Sequence, residues 1–189
     1  MPKLTHNPIT IDVDFMAHES KFGYKMMALT FKVRDFFSHP SKKINLLDLN
    51  IGEKVLDYGC GPGSYSIEAS RYVGNEGKIY AADISPFAIK DLEKMIKKNH
   101  INNIKTSITS LELPLQDNSL DKVYCFDVIH DLVDLSKHLT EFHRLLKTDG
   151  LLIADDHHST KEELITKITS TNLFKFSREA EKILFFSKN

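Results

Sequence analysis

The chain of 189 residues contains only two cysteines and no tryptophan. Cys60 and Cys125 do not form the pattern of a disulfide framework or a zinc-binding cysteine pair, which favours a reducing, cytoplasmic setting. No segment approaches the roughly 18 consecutive apolar residues that a membrane-spanning helix needs. Residues 1–15 lack the apolar core of a secretory signal. The sequence therefore predicts neither a membrane span nor an export signal.

Net charge is also almost absent, because 25 Lys and Arg residues face 26 Asp and Glu residues. Domains that bind nucleic acid typically carry an excess of positive charge, so this balance argues against a nucleic-acid partner. The apolar fraction of 41% is ordinary for a globular protein. A chain of this length and composition can bury a sizeable core within one main domain.

Short apolar strands alternate with amphipathic helices from residue 54 onward. The predicted strands are 54–59, 78–84, 104–109, 121–128 and 151–156, and the predicted helices are 64–73, 86–99, 134–147 and 161–171. The helix over 134–147 is expected to stop at the Thr148–Gly150 turn. Two further strands end the chain, and at least one of them is expected to run antiparallel. This alternation predicts an α/β fold with helices on both faces of a mostly parallel sheet.

An acid and three glycines follow the first predicted strand, in the stretch VLDYGCGPGSYS (55–66). A dinucleotide-binding loop has the spacing G-x-G-x-x-G and places a pyrophosphate at a helix N-terminus. Here the spacing is G-x-G-x-G, and the carboxylate of Asp57 would be unfavourable beside a pyrophosphate but favourable beside a cation. Asp83, at the end of the second strand, can accept hydrogen bonds from both hydroxyls of a ribose. The pattern favours a positively charged nucleoside without phosphate, such as S-adenosylmethionine.

Several motifs in the same order resemble those of class I S-adenosylmethionine-dependent methyltransferases, in particular the methyltransferase type 11 group that includes ubiquinone and menaquinone C-methyltransferases. VLDYGCGPG resembles the first family motif and IYAADISPFAI the second. LPLQDNSLDKVYCFDVIHDL and HLTEFHRLLKTDGLLIADDH resemble the segments around the fourth and fifth strands. The resemblance covers about residues 50–189. It implies a Rossmann-like, doubly wound sheet of seven strands.

The resemblance further implies in-line transfer of a methyl group from S-adenosylmethionine to a small-molecule acceptor, with S-adenosylhomocysteine as product. Asp57 and the glycines would line the methionine end, Asp83 would bind the ribose and Ile84 would pack on the adenine. The family often carries an acid after the third strand, but Thr109 stands there, so backbone groups of Ser110 and Leu111 would replace it. The predicted cofactor-binding residues are Asp57, Gly59, Gly61, Gly63, Asp83, Ile84, Ser110 and Phe126.

Polar residues after the fourth and fifth strands are the candidates for chemistry. Methyl transfer from a sulfonium needs alignment and exclusion of water, and it needs a base only when the acceptor loses a proton. The predicted catalytic residues are His130, His157 and Asp127, because an imidazole suits proton transfer near neutral pH. For His130, pocket lining and a plain scaffold role stay open.

The run from Asp155 to His158 has three interpretations: a solvated strand end, an acceptor-binding segment, or a metal site with His130 and Asp127. No metal ligand is assigned, because the transfer itself requires no metal.

The sequence leaves two other functions open: a non-catalytic S-adenosylmethionine-binding module that serves as a sensor or partner subunit, and an NAD-linked oxidoreductase. FDVI follows the fourth strand, where enzymes that methylate amines of nucleic acid bases carry Asn/Asp-Pro-Pro-Tyr/Phe. This difference argues against an N-methyltransferase of DNA or RNA and leaves RNA and protein substrates open. The methyl acceptor and the oligomeric state stay open.

Residues 1–45 precede the alternating segment and are predicted to form a helical lid, with 46–189 as the S-adenosylmethionine-binding methyltransferase domain. Apolar residues recur at helical spacing within 17–38, and a second short helix is expected at 43–49. No long insertion follows the fifth strand, so Phe15, Phe22, Tyr24, Met26 and Met27 are the candidates to line the acceptor site. The alternatives are that this helix only caps the core, or that this basic, Phe-rich helix acts at a membrane surface.

Overall fold

A computed structural model describes Gly23, Tyr24 and Met26 and residues 39–109 and 111–189. In chain order its elements are α1 (Pro40–Asn45), β1 (Lys54–Tyr58), α2 (Ser64–Val73), β2 (Lys78–Asp83), α3 (Pro86–Lys98), β3 (Ile104–Ile108), β4 (Leu120–Phe126), a 3₁₀ turn (Ile129–Asp131), α4 (Leu135–Leu145), β5 (Leu146–Asp155), α5 (Lys161–Thr169), β6 (Phe174–Ala180) and β7 (Ile183–Lys188). Among the described helices, none is long and apolar enough to cross a membrane.

The seven strands form one sheet in the order β3-β2-β1-β4-β5-β7-β6. β1 to β5 pair in parallel, whereas β7 runs antiparallel to both β5 and β6. The predicted mostly parallel sheet with an antiparallel C-terminal strand is confirmed. The strand order reverses between β1 and β4, and sheets of this kind bind ligands at such a switch point, beyond the carboxyl ends of the strands.

Helices cover both faces of the sheet, and each face has its own hydrophobic core. Leu139 and Phe142 of α4 and Leu164 of α5 pack on one face, while Val73 of α2 and Leu92 of α3 pack on the other. Fully burying one such side chain contributes about 1.5–3 kcal/mol. This packing fixes the sheet, and with it the positions of the residues that follow each strand.

The boundary between α4 and β5 differs from the prediction. The helix ends at Leu145 and β5 begins at Leu146, so residues 148–150 belong to a strand instead of a turn. Leu146 is fully buried and pairs with Leu120, and the register between β4 and β5 shifts before Leu151 pairs with Lys122. Burial of Leu146 against the sheet overrides the local turn signal.

The short helix before β1 also begins earlier than predicted, at Pro40 instead of residue 43. His39 caps it, because its side chain accepts a hydrogen bond from the backbone N–H of Ser41 at 3.2 Å. Proline is favourable in the first turn of a helix, where its missing N–H has no helical partner. The His39-Pro40-Ser41 motif therefore starts this helix.

The predicted lid lies largely outside the described residues, as do Phe15, Phe22, Met27 and the predicted cofactor-binding residue Ser110. Tyr24 is described and buried: its hydroxyl donates to Asp91 Oδ2 at 3.0 Å and its ring stacks on Phe87 at 5.7 Å. These contacts attach residue 24 to α3. The lid itself stays a prediction.

Two glycines with similar backbone angles make a matched pair for a stability test. Gly63 has φ +86° and a Cβ there would lie 2.3 Å from Leu92 Cδ1, whereas Gly52 has φ +88° and nothing within 4 Å. Gly63→Ala should lower the free energy of unfolding by about 2–4 kcal/mol, because backbone strain and overpacking add. Gly52→Ala should cost only about 1 kcal/mol. Urea denaturation measures both values, and equal costs would contradict the close contact with Leu92.

Candidate active site

The glycine loop, residues 59–63, connects β1 to α2 and is tied to the end of β2. The N–H groups of Gly59 and Cys60 both donate to the Ala82 carbonyl, at 2.8 and 3.0 Å. A Cβ on Gly59 would lie 2.5 Å from Val128 Cγ2. The sequence suggested glycine here for close approach of a ligand, and the structure adds a second reason at Gly59: the segment after β4 packs directly against the loop.

Asp83 ends β2 and holds the loop through its carboxylate. Its Oδ2 accepts the N–H of Gly61 at 2.7 Å, and its Oδ1 accepts the N–H of Ser85 at 2.8 Å. Ser85 caps α3, so one carboxylate connects the glycine loop to the start of that helix. Ile84 follows directly and is partly exposed. Asp83 and Ile84 thus lie at the carboxyl edge of the sheet, where they were predicted to be.

Asp57 lies beneath the glycine loop with only 2% of its surface exposed. Burial raises the pKa of this carboxyl to about 7, although the hydroxyls of Ser66 and Tyr124 act in the opposite direction. The hydroxyl of Ser66, in the first turn of α2, donates a hydrogen bond to Asp57 Oδ2. Near neutral pH the charged and neutral forms are therefore close in free energy, and a nearby cation would favour the charged form.

Phe126 ends β4 and contacts a lysine that the sequence did not predict as a site residue. The Lys43 ammonium of α1 lies 4.0 Å from the centroid of the Phe126 ring and forms an ion pair with Asp155 at the end of β5. Burial raises the pKa of Asp155, and Lys43 opposes that shift. Asp155 Oδ1 is buried without a hydrogen-bond partner among the described residues. No local sequence signal indicated that α1 would bring a cation to this edge.

Two histidine–carboxylate pairs lie side by side after β4 and β5. His157 Nδ1 lies 2.5 Å from Asp127 Oδ1, which also accepts the His157 backbone N–H at 3.0 Å. His130 Nδ1 lies 3.0 Å from Asp156 Oδ1. The three predicted catalytic residues thus lie in one group, which we call the histidine–aspartate cluster: Asp127, His130, Asp156, His157 and His158.

Asp156 holds this cluster from beneath, a role that the sequence did not reveal. Its side chain is fully buried, and besides His130 it accepts the N–H of His158 at 2.9 Å and the hydroxyl of Ser159 at 3.1 Å. The His158 ring lies between the other two, with its centroid 4.1 Å from that of His130 and 3.9 Å from that of His157. Adjacent residues of a strand point to opposite faces, so the sequence alone did not show which members of this run face inward.

The cluster adjoins the glycine loop because Val128, directly after Asp127 and two residues before His130, packs against Gly59. Asp127 has φ +52°, a conformation that is uncommon outside glycine, and its N–H donates to the Asp155 carbonyl at 3.1 Å. The chain turns sharply there and directs the residues after β4 toward those after β5. The candidate site therefore combines the loop, both acids and the cluster at one edge of the sheet.

Pairing shifts the pKa values of His157 and Asp127 in opposite directions. Partial burial acts to raise the pKa of the Asp127 carboxyl, but the hydrogen bonds from His157 outweigh burial and lower that pKa below its usual value. Hydrogen bonding and attraction to Asp127 raise the pKa of His157 above 6.5. The stabilisation from His157 is complete below its unfolded pKa and is lost as pH rises through its folded pKa. The stabilisation from Asp127 is lost as pH falls through its lowered pKa.

We expect Asp127→Asn to lower the pKa of His157 back toward 6.5, because the amide removes the negative charge that favours the imidazolium. Titration of the His157 ring protons by NMR in chelator-treated protein measures the change. Asp149→Asn, in an exposed part of β5, is the control and should leave the titration of His157 unchanged. Identical titration curves in the parent and Asp127→Asn would show that the pair does not form.

Comparison with known proteins gives matches along most of the described chain. Residues 49–183 match a family described as "Methyltransferase domain". A demethylmenaquinone methyltransferase of Geobacillus stearothermophilus is 32% identical over 57% of this chain and 46% of its own length. A ubiquinone/menaquinone biosynthesis C-methyltransferase of Shewanella frigidimarina is 28% identical over 92% of this chain and 73% of its own. The chain spans about half the length of the first such relatives.

Solved structures share the fold. A SAM-dependent methyltransferase from Aquifex aeolicus superposes with a TM-score of 0.73 at 23% identity, covering 80% of this chain and 90% of that one. A protein from Methanococcus maripaludis, described as a putative S-adenosyl-L-methionine-dependent methyltransferase, gives 0.68 at 19% identity, covering 91% and 95%. At these identities the likeness supports the architecture and its strand order alone.

Proposed function

The chain belongs to the methyltransferase-domain family, and we propose that it transfers a methyl group from S-adenosylmethionine to a small-molecule acceptor. The observation that carries the proposal is the arrangement of two acids around the glycine loop, with Asp57 beneath it and the Asp83 carboxylate bonded to the Gly61 N–H. This arrangement suits a nucleoside that carries a positive charge and no phosphate. The names of the quinone-methylating relatives also support a small-molecule acceptor.

We assign the parts of the cofactor to the residues around the loop. Asp57 and the backbone of Gly59, Gly61 and Gly63 bind the methionine end, where the ammonium favours ionised Asp57. Asp83, whose carboxylate also accepts the N–H groups of Gly61 and Ser85, accepts hydrogen bonds from the ribose hydroxyls. Ile84 and Phe126 border the adenine and the sulfonium, and the assignment of Ser110 to the cofactor, outside the described residues, stays a prediction. S-adenosylhomocysteine leaves as product.

Methyl transfer proceeds by in-line displacement. When bound, S-adenosylmethionine would supply an electrophilic methyl group: an electron pair of the acceptor would bond to the methyl carbon while the electron pair of the carbon–sulfur bond would return to the sulfonium. The protein contributes alignment and exclusion of water. When the acceptor carries a proton, His130 takes it; His130 is oriented by the buried carboxylate of Asp156, at 3.0 Å from Nδ1. His157 and Asp127 border the acceptor beside it.

Composition supports two further parts of the proposal. We propose a cytoplasmic location, which the two free, buried cysteines support. The balanced charge argues against a nucleic-acid partner.

S-adenosylhomocysteine should raise the melting temperature of the parent protein, and NAD should not. Asp83→Asn should weaken S-adenosylhomocysteine binding about 10- to 100-fold, because it removes charge-assisted hydrogen bonds to the ribose. Calorimetric titration measures the affinity, and the melting temperature without ligand reports whether the variant folds. Asp149→Asn is the matched control and should bind like the parent.

Stabilisation by NAD in place of S-adenosylhomocysteine would contradict the proposal and favour an oxidoreductase. To separate catalysis from binding, the protein is incubated with methyl-labelled S-adenosylmethionine and a small-molecule extract. Label should move to a small molecule in the parent, and His130→Gln should reduce transfer while it retains cofactor binding. Binding without transfer in the parent would instead indicate a non-catalytic module.

A further inference from the structure

Three side chains of the histidine–aspartate cluster bring potential ligand atoms together. Asp127, Asp156 and His157 each offer one ligand atom, and these atoms all lie within 4.8 Å of one another. We propose that these three residues form a binding site for a divalent first-row transition-metal ion. Ligand bonds to such an ion are about 2.0–2.2 Å long, so the ligands need to approach one another only slightly to surround it.

Asp156 is a rigid ligand. Its side chain is fully buried, and three donors fix it: His130 Nδ1, the His158 N–H and the Ser159 hydroxyl. Oδ1 of Asp156 accepts from His130 and His158, whereas Oδ2 accepts one hydrogen bond, from Ser159, so a lone pair of Oδ2 is left for a metal. Hydrogen bonds of this kind orient metal ligands in proteins and contribute to affinity. In this arrangement His130 orients the ligand Asp156 through their hydrogen bond and does not itself bind the ion.

Asp127 and His157 form the more open side of the site. Asp127 Oδ1 accepts both hydrogen bonds from His157, and within the described parts of the chain no group donates to Asp127 Oδ2. A metal ion can replace the proton that the Asp127 carboxylate and the His157 imidazole share in this hydrogen bond. Because Asp127 follows β4 while Asp156 and His157 follow β5, the ion would connect the ends of two adjacent strands.

The charges around the site favour a cation. Four acids lie at or next to the cluster: Asp127, Asp131, Asp155 and Asp156. Lys43 compensates only part of this charge, since its ion pair is with Asp155, whose Oδ1 has no hydrogen-bond partner among the described residues. Asp127, Asp155 and Asp156 are buried or half-buried, and such carboxylates are unfavourable without a compensating charge. A dication supplies that charge.

The donor types narrow the choice of ion. An imidazole suits zinc, iron and nickel, whereas carboxylates also suit manganese and magnesium. Two carboxylates and one imidazole therefore favour Mn²⁺ or Zn²⁺ over Mg²⁺, which prefers oxygen ligands alone and retains water. Three protein ligands leave coordination positions open. On the proposed function, those positions face the acceptor, so an oxygen-bearing acceptor would bind the ion there.

Metal binding is measured on untagged protein that has been treated with chelator and desalted. Calorimetric titration with Zn²⁺ or Mn²⁺ should show about one ion bound per chain, with Mg²⁺ much weaker. His157→Ala removes an exposed ligand and Asp127→Asn removes a negative one, and each should weaken binding by at least about tenfold. His100→Ala, an exposed histidine of the loop before β3, is the matched control and should bind like the parent.

Equal affinity in the parent, His157→Ala and Asp127→Asn, or no binding by the parent, would overturn the metal site. Two variants, Asp83→Asn and His157→Ala, distinguish failure of the metal site from failure of the proposed function. Asp83→Asn should lose S-adenosylhomocysteine affinity and retain the metal, whereas His157→Ala should lose the metal and retain S-adenosylhomocysteine affinity. Loss of both ligands in both variants, with the fold intact, would contradict two separate sites.

Discussion

The carboxyl group of Asp57, buried beneath the glycine loop, is the constraint on which the rest of the site depends. A chain removes a carboxylate from water only at a cost, and here burial raises its pKa to about 7. Ser66 of α2 bonds to it and Tyr124 of β4 lies next to it. The end of β1, the start of α2 and the middle of β4 are therefore packed around one group whose charge responds to its surroundings.

Packing around the loop joins the cofactor side of the cleft to its chemical side. Asp83 fixes the loop from β2, and Val128 fills the space where Gly59 has no side chain. Asp127, directly before Val128, and His130, two residues after it, belong to the histidine–aspartate cluster. One rigid edge of the sheet therefore holds both Asp83, which binds the loop, and the histidines that would act on the acceptor. Methyl transfer needs such rigidity because it depends on the alignment of donor and acceptor.

Much of this could be predicted from the sequence, because periodicity and the rule that strand ends share an edge are strong signals. They placed Asp57, Asp83, Asp127 and His157 together. Burial of Leu146 could not be foreseen, since tertiary packing overrode a local turn signal. Lys43 and the bonds to Asp156 were missed for a related reason: contacts between distant segments leave no trace in local spacing.

The most direct test is the affinity for S-adenosylhomocysteine as a function of pH, in the parent and in Asp57→Asn. Ionised Asp57 attracts the ammonium of the ligand, so affinity in the parent should rise as pH increases through about 7. The variant should bind more weakly at high pH and lack this rise. Parallel curves for the two proteins would contradict the account, because they would show that the buried acid does not sense the charge of the ligand.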